Sequence, residues 1–462
     1  MEKLLLICVI AATFVSCQTP EKIENIIVIG GGLMGSSTAW QLSKYGEDVL
    51  LIEQQDSIYT FGSSLGAARI SRSLGPKNDL FSYLQQTSVA ETEKLIRFLN
   101  EKDSSTNHQM EDIYHTSPVT YIRYKSQEEE VTELLRDQTD QYEFAPDKET
   151  AMNLFGMTIP DSLMIIREYK KHSGTLNPTN LISKLHQGVK YSGNRVWYNE
   201  KVSSLKKIDD HFEVQLTNQK TGEKKTILSK KVVSAAGPYN GSLMKEVAPY
   251  VSELIIPKRL FLAFFKIEKA VYENWSLKDK KRLQDFYPVA DIDSEIYYSM
   301  IEGYDEDQNP IIKVGGHFLR TDIEDLDKVW QKELTNKEIE WSKSNTMDYL
   351  NMLGLPLKKT DLAYHKGYSC VYSLTKTEVP YVTNIINRDD ALDSNMVLVG
   401  GMSGIGAKGA LTYGLIAANL LLQKEDNSNL YQDAIAALGS ERLKIDIQQK
   451  DDPNIERVAP IK

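Results

Sequence analysis

Asn25-Ile26-Ile27-Val28-Ile29-Gly30-Gly31-Gly32-Leu33-Met34-Gly35 decides the fold. Residues 25–29 form a short β-branched strand, and residues 36–45 carry the apolar spacing of a helix through Ala39, Trp40 and Leu42. A second strand over residues 48–52 then delivers Glu53. In such a strand–turn–helix unit Gly30 permits the tight turn, Gly32 lets backbone N–H groups approach a pyrophosphate, and Gly35 lets helix and strand pack closely. Glu53 stands where an acidic side chain takes the adenine-ribose hydroxyls. A glycine-rich turn alone would carry little weight, but with strand, helix and acid in register the unit predicts dinucleotide binding.

The chain has 462 residues, enough to bury a large core and to favour two domains over one. With 26% charged and 41% hydrophobic residues it is globular in composition. A formal charge of −10 argues against a nucleic-acid surface, and no basic run overrides it. There is no internal repeat and no low-complexity linker, and no metal site is expected. The charged stretches 127–136, 278–282 and 444–452 read as solvated faces or loops.

Residues 1–17 read as a signal segment rather than as part of the fold. Met1-Glu2-Lys3 precedes an apolar or small run over 4–15, then Ser16-Cys17. A bilayer span needs roughly 20 apolar residues, so the run is too short and fits a signal-peptide core. Phe14-Val15-Ser16-Cys17 resembles a bacterial lipoprotein lipobox, which implies cleavage before Cys17 and a lipid on its sulfur. An uncleaved anchor, or a signal peptide cut elsewhere, is the alternative. The expected location is the bacterial cell envelope, with the membrane met only through that lipid; the cytoplasm follows if the signal is unused. No Arg-Arg pair precedes the run, so folded export by the twin-arginine path is not indicated. Of the 3 cysteines only Cys370 lies in the body, which excludes a disulfide framework.

Further along, a Gly/Ser loop over 61–66 precedes Ala67-Ala68-Arg69-Ile70-Ser71-Arg72, and residues 88–100 read as an amphipathic helix. Asn177-Pro178 opens a helix through Gly188. Strands are expected at 196–198, 202–205, 212–216 and 225–228, then a buried one at 231–234 closing on Ala235-Ala236-Gly237-Pro238. Another buried strand, 396–399, runs through Gly400-Gly401-Met402-Ser403-Gly404-Ile405-Gly406 into a helix over 407–422. Segments so far apart in sequence suit the extended body of FAD better than NAD, which one compact α/β unit usually holds. Aromatic and β-branched strands at 259–266, 295–301 and 311–319, with part of 111–171, predict a second domain around a largely antiparallel sheet. A ligand site belongs at the interface of the two. The fold class is therefore α/β (α+β). The expected division is a discontinuous FAD-binding domain over 24–110, 172–250 and 362–424, a substrate domain over 111–171 and 251–361, and a tail over 425–462.

Five motifs in order carry a more specific likeness. They are the glycine turn, Arg69-Ile70-Ser71-Arg72, Lys313-Val314-Gly315-Gly316-His317, Ser369-Cys370-Val371-Tyr372 and the segment 400–408. From about residue 26 to 422 the sequence resembles the D-amino-acid-oxidase-type flavoproteins, and within them the monomeric sarcosine oxidase and N-methyltryptophan oxidase group. The resemblance implies that Cys370 forms a thioether to the flavin. It implies that Lys313 lies near the flavin N5 and stabilises reduced O2 by charge, and that His317 lies beside the substrate amine. It further implies that Arg69 covers one side of the flavin, and that Arg72 and Lys408 hold the substrate carboxylate. Tyr298 and Tyr372 would flank the amine, with Gly237, Gly404 and Gly406 against the cofactor.

Each residue also has a plainer reading. Cys370 alone is a core thiol, since free cysteine is among the most buried residue types. Lys313 could sit on an exposed face, His317 on a solvated edge, and Arg72 in a surface salt bridge. Lys313 and His317, four apart in a strand-like run, should share one face of the sheet. Lys408 falls in a first helical turn, where the macrodipole disfavours a cation unless an anion is near. Tyr297 should point away from Tyr298, into core.

Two features depart from the resembled pattern. Leu65 stands where a histidine is frequent, and the acidic loop 302–310 does not align. The leading expectation is a flavin amine oxidase acting on an N-methyl or other secondary amino acid, yielding an imine and H2O2 from O2. Fructosyl amino acid or pipecolate-type oxidation, a dehydrogenase with another acceptor, and a non-catalytic binding module are the alternatives. A monomer is expected, with a small amino acid and O2 as its partners.

Overall fold

The computed structural model describes residues 23–74, 78–136, 141–291, 295–387 and 390–449. The signal segment with Cys8 and Cys17 lies outside the described residues. Among the described residues no helix is long and apolar enough to cross a membrane.

The strand Ile23–Ile29 is central to the first sheet. It pairs in parallel with Val49–Ile52 on one side and Lys224–Ser234 on the other. Val49–Ile52 pairs in parallel with Arg195–Trp197, and Lys224–Ser234 with Leu392–Gly400. Strands covered on both faces can be apolar throughout, and residues 26–29 and 49–52 are all buried. Trp40, Leu42, Leu95, Leu185 and Ile416 pack on one face, and Phe212, Val214, Met244 and Leu398 on the other.

The turn after the first strand shows why glycines stand at 30 and 35. Gly30 has φ +99°, and a Cβ on it would sit 2.5 Å from the Ala235 carbonyl oxygen. A Cβ on Gly35 would sit 1.8 Å from the Gly30 carbonyl oxygen, so the helix Leu33–Lys44 can approach its strand only with glycine there.

Lys224–Ser234 is one continuous strand rather than the two expected at 225–228 and 231–234. Its first part pairs with His211–Asn218, which itself pairs with Glu200–Ile208. Its last residues join the parallel core. Polar Ser229-Lys230 marks this change of partners and leaves the strand unbroken. The helix expected at 88–100 extends over Asn78–Lys102, because Leu80, Phe81 and Leu84 bury a further stretch.

The second sheet runs in order through Thr321–Asp322, Ile256–Ile267, Pro310–Gly315, Tyr298–Tyr304, Val289–Asp291, Val119–Tyr124, Leu163–Glu168 and Tyr142–Ala145. Its pairings are antiparallel except that between Val289–Asp291 and Val119–Tyr124. The strand Leu362–Leu374 pairs along its length with Ile256–Ile267, so it belongs to this sheet. The boundary expected at 362 therefore comes too early; the chain returns to the first sheet only at Tyr381–Ile386.

The expected tail is also more than a tail. Helices Asn429–Leu438 and Ser440–Gln448 pack on the Tyr381–Ile386 strand, where the Arg442 guanidinium lies 4.0 Å from the Tyr381 ring centre. A small third sheet sets Arg69–Ser71 and Tyr114–Thr116 on either side of Gly174–Leu176 and fixes the strand that precedes Arg72.

Candidate active site

At the glycine turn, Glu53 is 5% exposed. Its Oε2 accepts from the Gly31 N–H at 2.7 Å and its Oε1 from the Gln55 N–H at 2.8 Å. Burial raises its carboxyl above the ordinary value, and the backbone N–H donors act in the opposite direction. Residues that the sequence reading did not single out complete the turn. Tyr59 Oη donates to the Gly31 carbonyl, and Ser36 Oγ donates to the same oxygen at 2.6 Å. Ser36 Oγ also meets His186 Nε2 at 2.8 Å, and His186 Nδ1 meets Tyr198 Oη at 2.9 Å. Burial holds His186 down at about 4, so it serves as a neutral brace.

The helix start at Gly32 has no side-chain cap of its own. A Cβ on Gly32 would meet only Ser64 Oγ, and one on Gly237 would meet nothing within 4 Å. The Leu33 N–H meets Ser64 Oγ at 3.2 Å, and a helix N-terminus with no cap from its own first residue, beside a buried carboxylate, is the kind of donor set a dinucleotide needs, so these residues fit FAD.

Across the sheet, Lys313 is fully buried. Its Nζ donates to the Ala68 carbonyl at 2.8 Å and to Glu302 Oε2 at 2.9 Å. Burial and Arg69 push the Lys313 ammonium down to about 7, against the pull of Glu302. Glu302 Oε1 also accepts from the Ala67 N–H at 2.8 Å, tying the loop before Arg69 to the sheet. The sequence reading placed Glu302 in an acidic loop. It lies instead in the strand Tyr298–Tyr304, at a register shift between Ile301 and Gly303. Such a bulge re-aims a side chain, which is why strand alternation did not reveal it.

Arg69 donates to the carbonyls of Ser63, Leu65 and Ala68 and so holds the Gly/Ser loop. Cys370 is a free, buried thiol packed with Leu260, Leu262 and Phe264, with Tyr298 and Tyr372 against them. Burial pushes it up to about 11, although Arg69 and Lys313 pull the other way. The protein alone does not make it a thiolate, so attack on a flavin would rely on the electrophilicity of the ring.

Lys313 stands opposite Met300 in the sheet, and Met300 and His317 line one cavity, so Lys313 and His317 lie on the same side of the sheet as expected. The strand ends at Gly315, and the chain turns so that the His317 N–H meets the Glu295 carbonyl. Lys313 Nζ meets Ala68 and Glu302, and the cavity that His317 lines measures about 540 Å3. Burial and Arg320 hold His317 down at about 3, leaving it neutral. Its ring stands edge-on to Tyr372, with centres 6.1 Å apart. Tyr298 Oη and Tyr372 Oη are 3.0 Å apart in the cavity wall. The glycines after Lys313 make room here: a Cβ on Gly315 would lie 2.3 Å from the Tyr298 ring, and one on Gly316 would strike Trp341. Gly404 lies against the Tyr372 ring and Gly406 against Met402. Tyr297 is buried in the core on the far side of the sheet.

Arg72 and Lys408 line the same cavity. Lys408 is 4% exposed, sits 4.2 Å from the Phe81 ring centre, and forms no ion pair among the described residues. Burial and the nearby Arg72 drive its ammonium well below the ordinary value; Glu168 pulls it back. The Arg72 guanidinium lies 5.5 Å from the Tyr121 ring centre. Behind them Glu168, fully buried, accepts from Ser73 N at 2.9 Å, Ser73 Oγ at 3.0 Å, Leu74 N at 3.3 Å, Tyr121 Oη and Ser173 Oγ. It thereby fixes the backbone next to Arg72. The sequence reading missed it, since nothing local links it to a residue so distant in the chain.

A family model described as FAD dependent oxidoreductase matches residues 25–420. A probable sarcosine oxidase from Arabidopsis thaliana is 24% identical over 87% of this chain and 88% of its own length. A monomeric sarcosine oxidase from Bacillus sp. (strain NS-129) is 23% identical over 86% and 92%. Among solved structures, NikD, an amino acid oxidase of nikkomycin biosynthesis, superposes with a TM-score of 0.65 at 17% identity, covering 90% of this chain and 97% of its own. With its Rossmann-like core, glycine turn and matched length, this chain belongs to the DAO family of FAD dependent oxidoreductases.

Proposed function

We propose that the protein oxidises a secondary amino acid, sarcosine-like in its reacting part, to an imine, with O2 as acceptor and FAD joined to Cys370. The observation that carries this reading is the buried, unpaired Lys408 beside Arg72 in the cavity wall, facing Tyr298, Tyr372 and His317. A desolvated cation without a counter-ion is costly unless the ligand brings one, and a substrate carboxylate does so. When bound, FAD supplies the two-electron oxidation of the amine and passes the electrons on.

The chain's own residues bind and orient the substrate. Arg72 and Lys408 take the two carboxylate oxygens, while Glu168 keeps Arg72 in place. Tyr298 and Tyr372 offer ring faces to the amine substituents. Neutral His317 offers a ring nitrogen as acceptor to the substrate N–H. The surrounding cations disfavour a positive charge on the bound amine, so it sheds a proton to solvent and presents the lone pair that imine formation requires.

The Glu302–Lys313 ion pair favours a second reading. A lysine whose charge is partly cancelled at 2.9 Å stabilises reduced oxygen less, which suits a dehydrogenase that hands its electrons to another acceptor. Parallel assay of H2O2 yield and dye reduction on one amine panel separates the two. Stoichiometric H2O2 supports the oxidase, and dye reduction without H2O2 supports the dehydrogenase.

A further inference from the structure

We propose that Arg123 binds a second anionic group on the substrate, so that the preferred amine is a secondary amino acid carrying two carboxylates. This rests on the reading of the cavity as an amine-oxidising site. Arg123 is 7% exposed and lines the cavity that holds Arg72, Lys408, Tyr298 and His317. Its guanidinium makes no hydrogen bond or ion pair among the described residues, and its Nε is buried without a partner. Removing a guanidinium from water with no acceptor is unfavourable, and arginine cannot escape by losing its proton. A structural arginine would be expected to hold carbonyls, as Arg69 does with three.

The position of Arg123 separates its role from that of the carboxylate pair. Tyr121 and Arg123 alternate on the strand Val119–Tyr124, so both face the same side. Two residues of strand carry Arg123 roughly 6–7 Å beyond Tyr121, against whose ring Arg72 rests. Arg72 repels both Lys408 and Arg123, and all three cations line the one cavity.

The nearby carboxylates attract Arg123 and Lys408, and among the described residues none closes to an ion pair with Arg72, Arg123 or Lys408. Glu168 is already engaged by the Ser73, Leu74, Tyr121 and Ser173 donors. Asp291, on the adjoining strand, and Glu130 attract Arg123, and neither closes to an ion pair with it. One carboxylate satisfies Arg72 and Lys408, which leaves the far guanidinium for another. That second carboxylate could hang from the nitrogen substituent or from the α-carbon side chain.

The test uses thioether analogues, in which sulfur replaces the reacting nitrogen, titrated into holoenzyme and read by the perturbation of the bound flavin spectrum. (Methylthio)acetate carries one carboxylate. 2,2′-Thiodiacetate and 3-(carboxymethylthio)propanoate place the second on the nitrogen-substituent side, and (methylthio)succinate places it on the side-chain side. At least one dicarboxylate should bind at least about tenfold more tightly than (methylthio)acetate. Arg123→Gln should erase that advantage while changing (methylthio)acetate less than about twofold, and Arg123→Lys should restore part of it. Which dicarboxylate gains identifies the source of the second group.

If no dicarboxylate outbinds (methylthio)acetate in the wild type, or if Arg123→Gln weakens both kinds alike, the proposal is overturned. Because these ligands need no turnover, a dicarboxylate preference in an enzyme that no amine reduces would leave Arg123 assigned and overturn the proposed oxidation instead.

Discussion

Replacing Glu302 by Gln should move the pH dependence of reoxidation by O2 to lower pH without slowing reduction by the amine. Lys313 Nζ and Glu302 Oε2 are 2.9 Å apart, with the lysine fully buried and the carboxylate 16% exposed. At that separation a unit charge pair is worth roughly 1.4 kcal/mol at the dielectric of water and roughly 6 kcal/mol at an effective value of 20. At 1.36 kcal/mol per pH unit this spans roughly one to four units, and the partial exposure of Glu302 favours one to two.

The sign follows from the side chains. Lys313 is held down at about 7, and Glu302 is foremost of the groups that raise it, with Cys370 after it. Without Glu302 the ammonium loses its proton at lower pH. The wild-type reoxidation rate should therefore fall as pH rises through neutrality, and the fall should begin earlier in Glu302→Gln. At pH 7 the charged fraction would drop from about half to between about 1% and 10%, slowing reoxidation roughly 5- to 50-fold. Stopped-flow mixing of reduced enzyme with O2 across pH measures this, and anaerobic mixing with substrate is the control. Lys313→Met should abolish the pH dependence altogether. An unmoved midpoint in Glu302→Gln, or equal slowing of both half-reactions, would refute the electrostatic role.

Three further outcomes are expected. Arg72→Ala and Lys408→Ala should each raise the amino acid Kd for flavin reduction at least tens-fold, a cost of roughly 2–5 kcal/mol. The double variant should show less than the sum, because both cations address one group, and a carboxylate-free amine should be nearly indifferent to either change. Glu168→Gln should lower stability by roughly 2–3 kcal/mol in denaturant unfolding and weaken carboxylate binding, since it removes the charge from a buried, fully used acceptor. Acid precipitation should leave the yellow chromophore in the wild-type pellet and release it to the supernatant of Cys370→Ala.

The parts of the site legible in the sequence were those encoded locally. Gly30, Gly32, Gly35 and Glu53 lie within one strand–turn–helix–strand unit, so spacing alone places the turn and its acid. Lys313 and Lys408 stood out as cations in apolar or electropositive settings, and the structure buries both. What escaped was non-local or broke a period. Glu302 sits at a bulge. The strand Leu362–Leu374 crosses to the second sheet although the family resemblance groups Cys370 with the cofactor motifs. Glu168 and Arg123 acquire meaning only when the Val119–Tyr124 and Leu163–Glu168 strands pair beside Arg72. No pattern in a single chain marks one glutamate or arginine among so many.

The most direct test is anaerobic mixing of the FAD-loaded protein with a panel of N-methylglycine, other N-methyl amino acids, N-carboxyalkyl amino acids, pipecolate and fructosyl amino acids. The account predicts that at least one secondary amino acid bleaches the oxidised flavin within a single turnover, and that the decarboxylated counterpart of that compound does so far more slowly. A flavin that dithionite reduces but that no amine on the panel bleaches would contradict it.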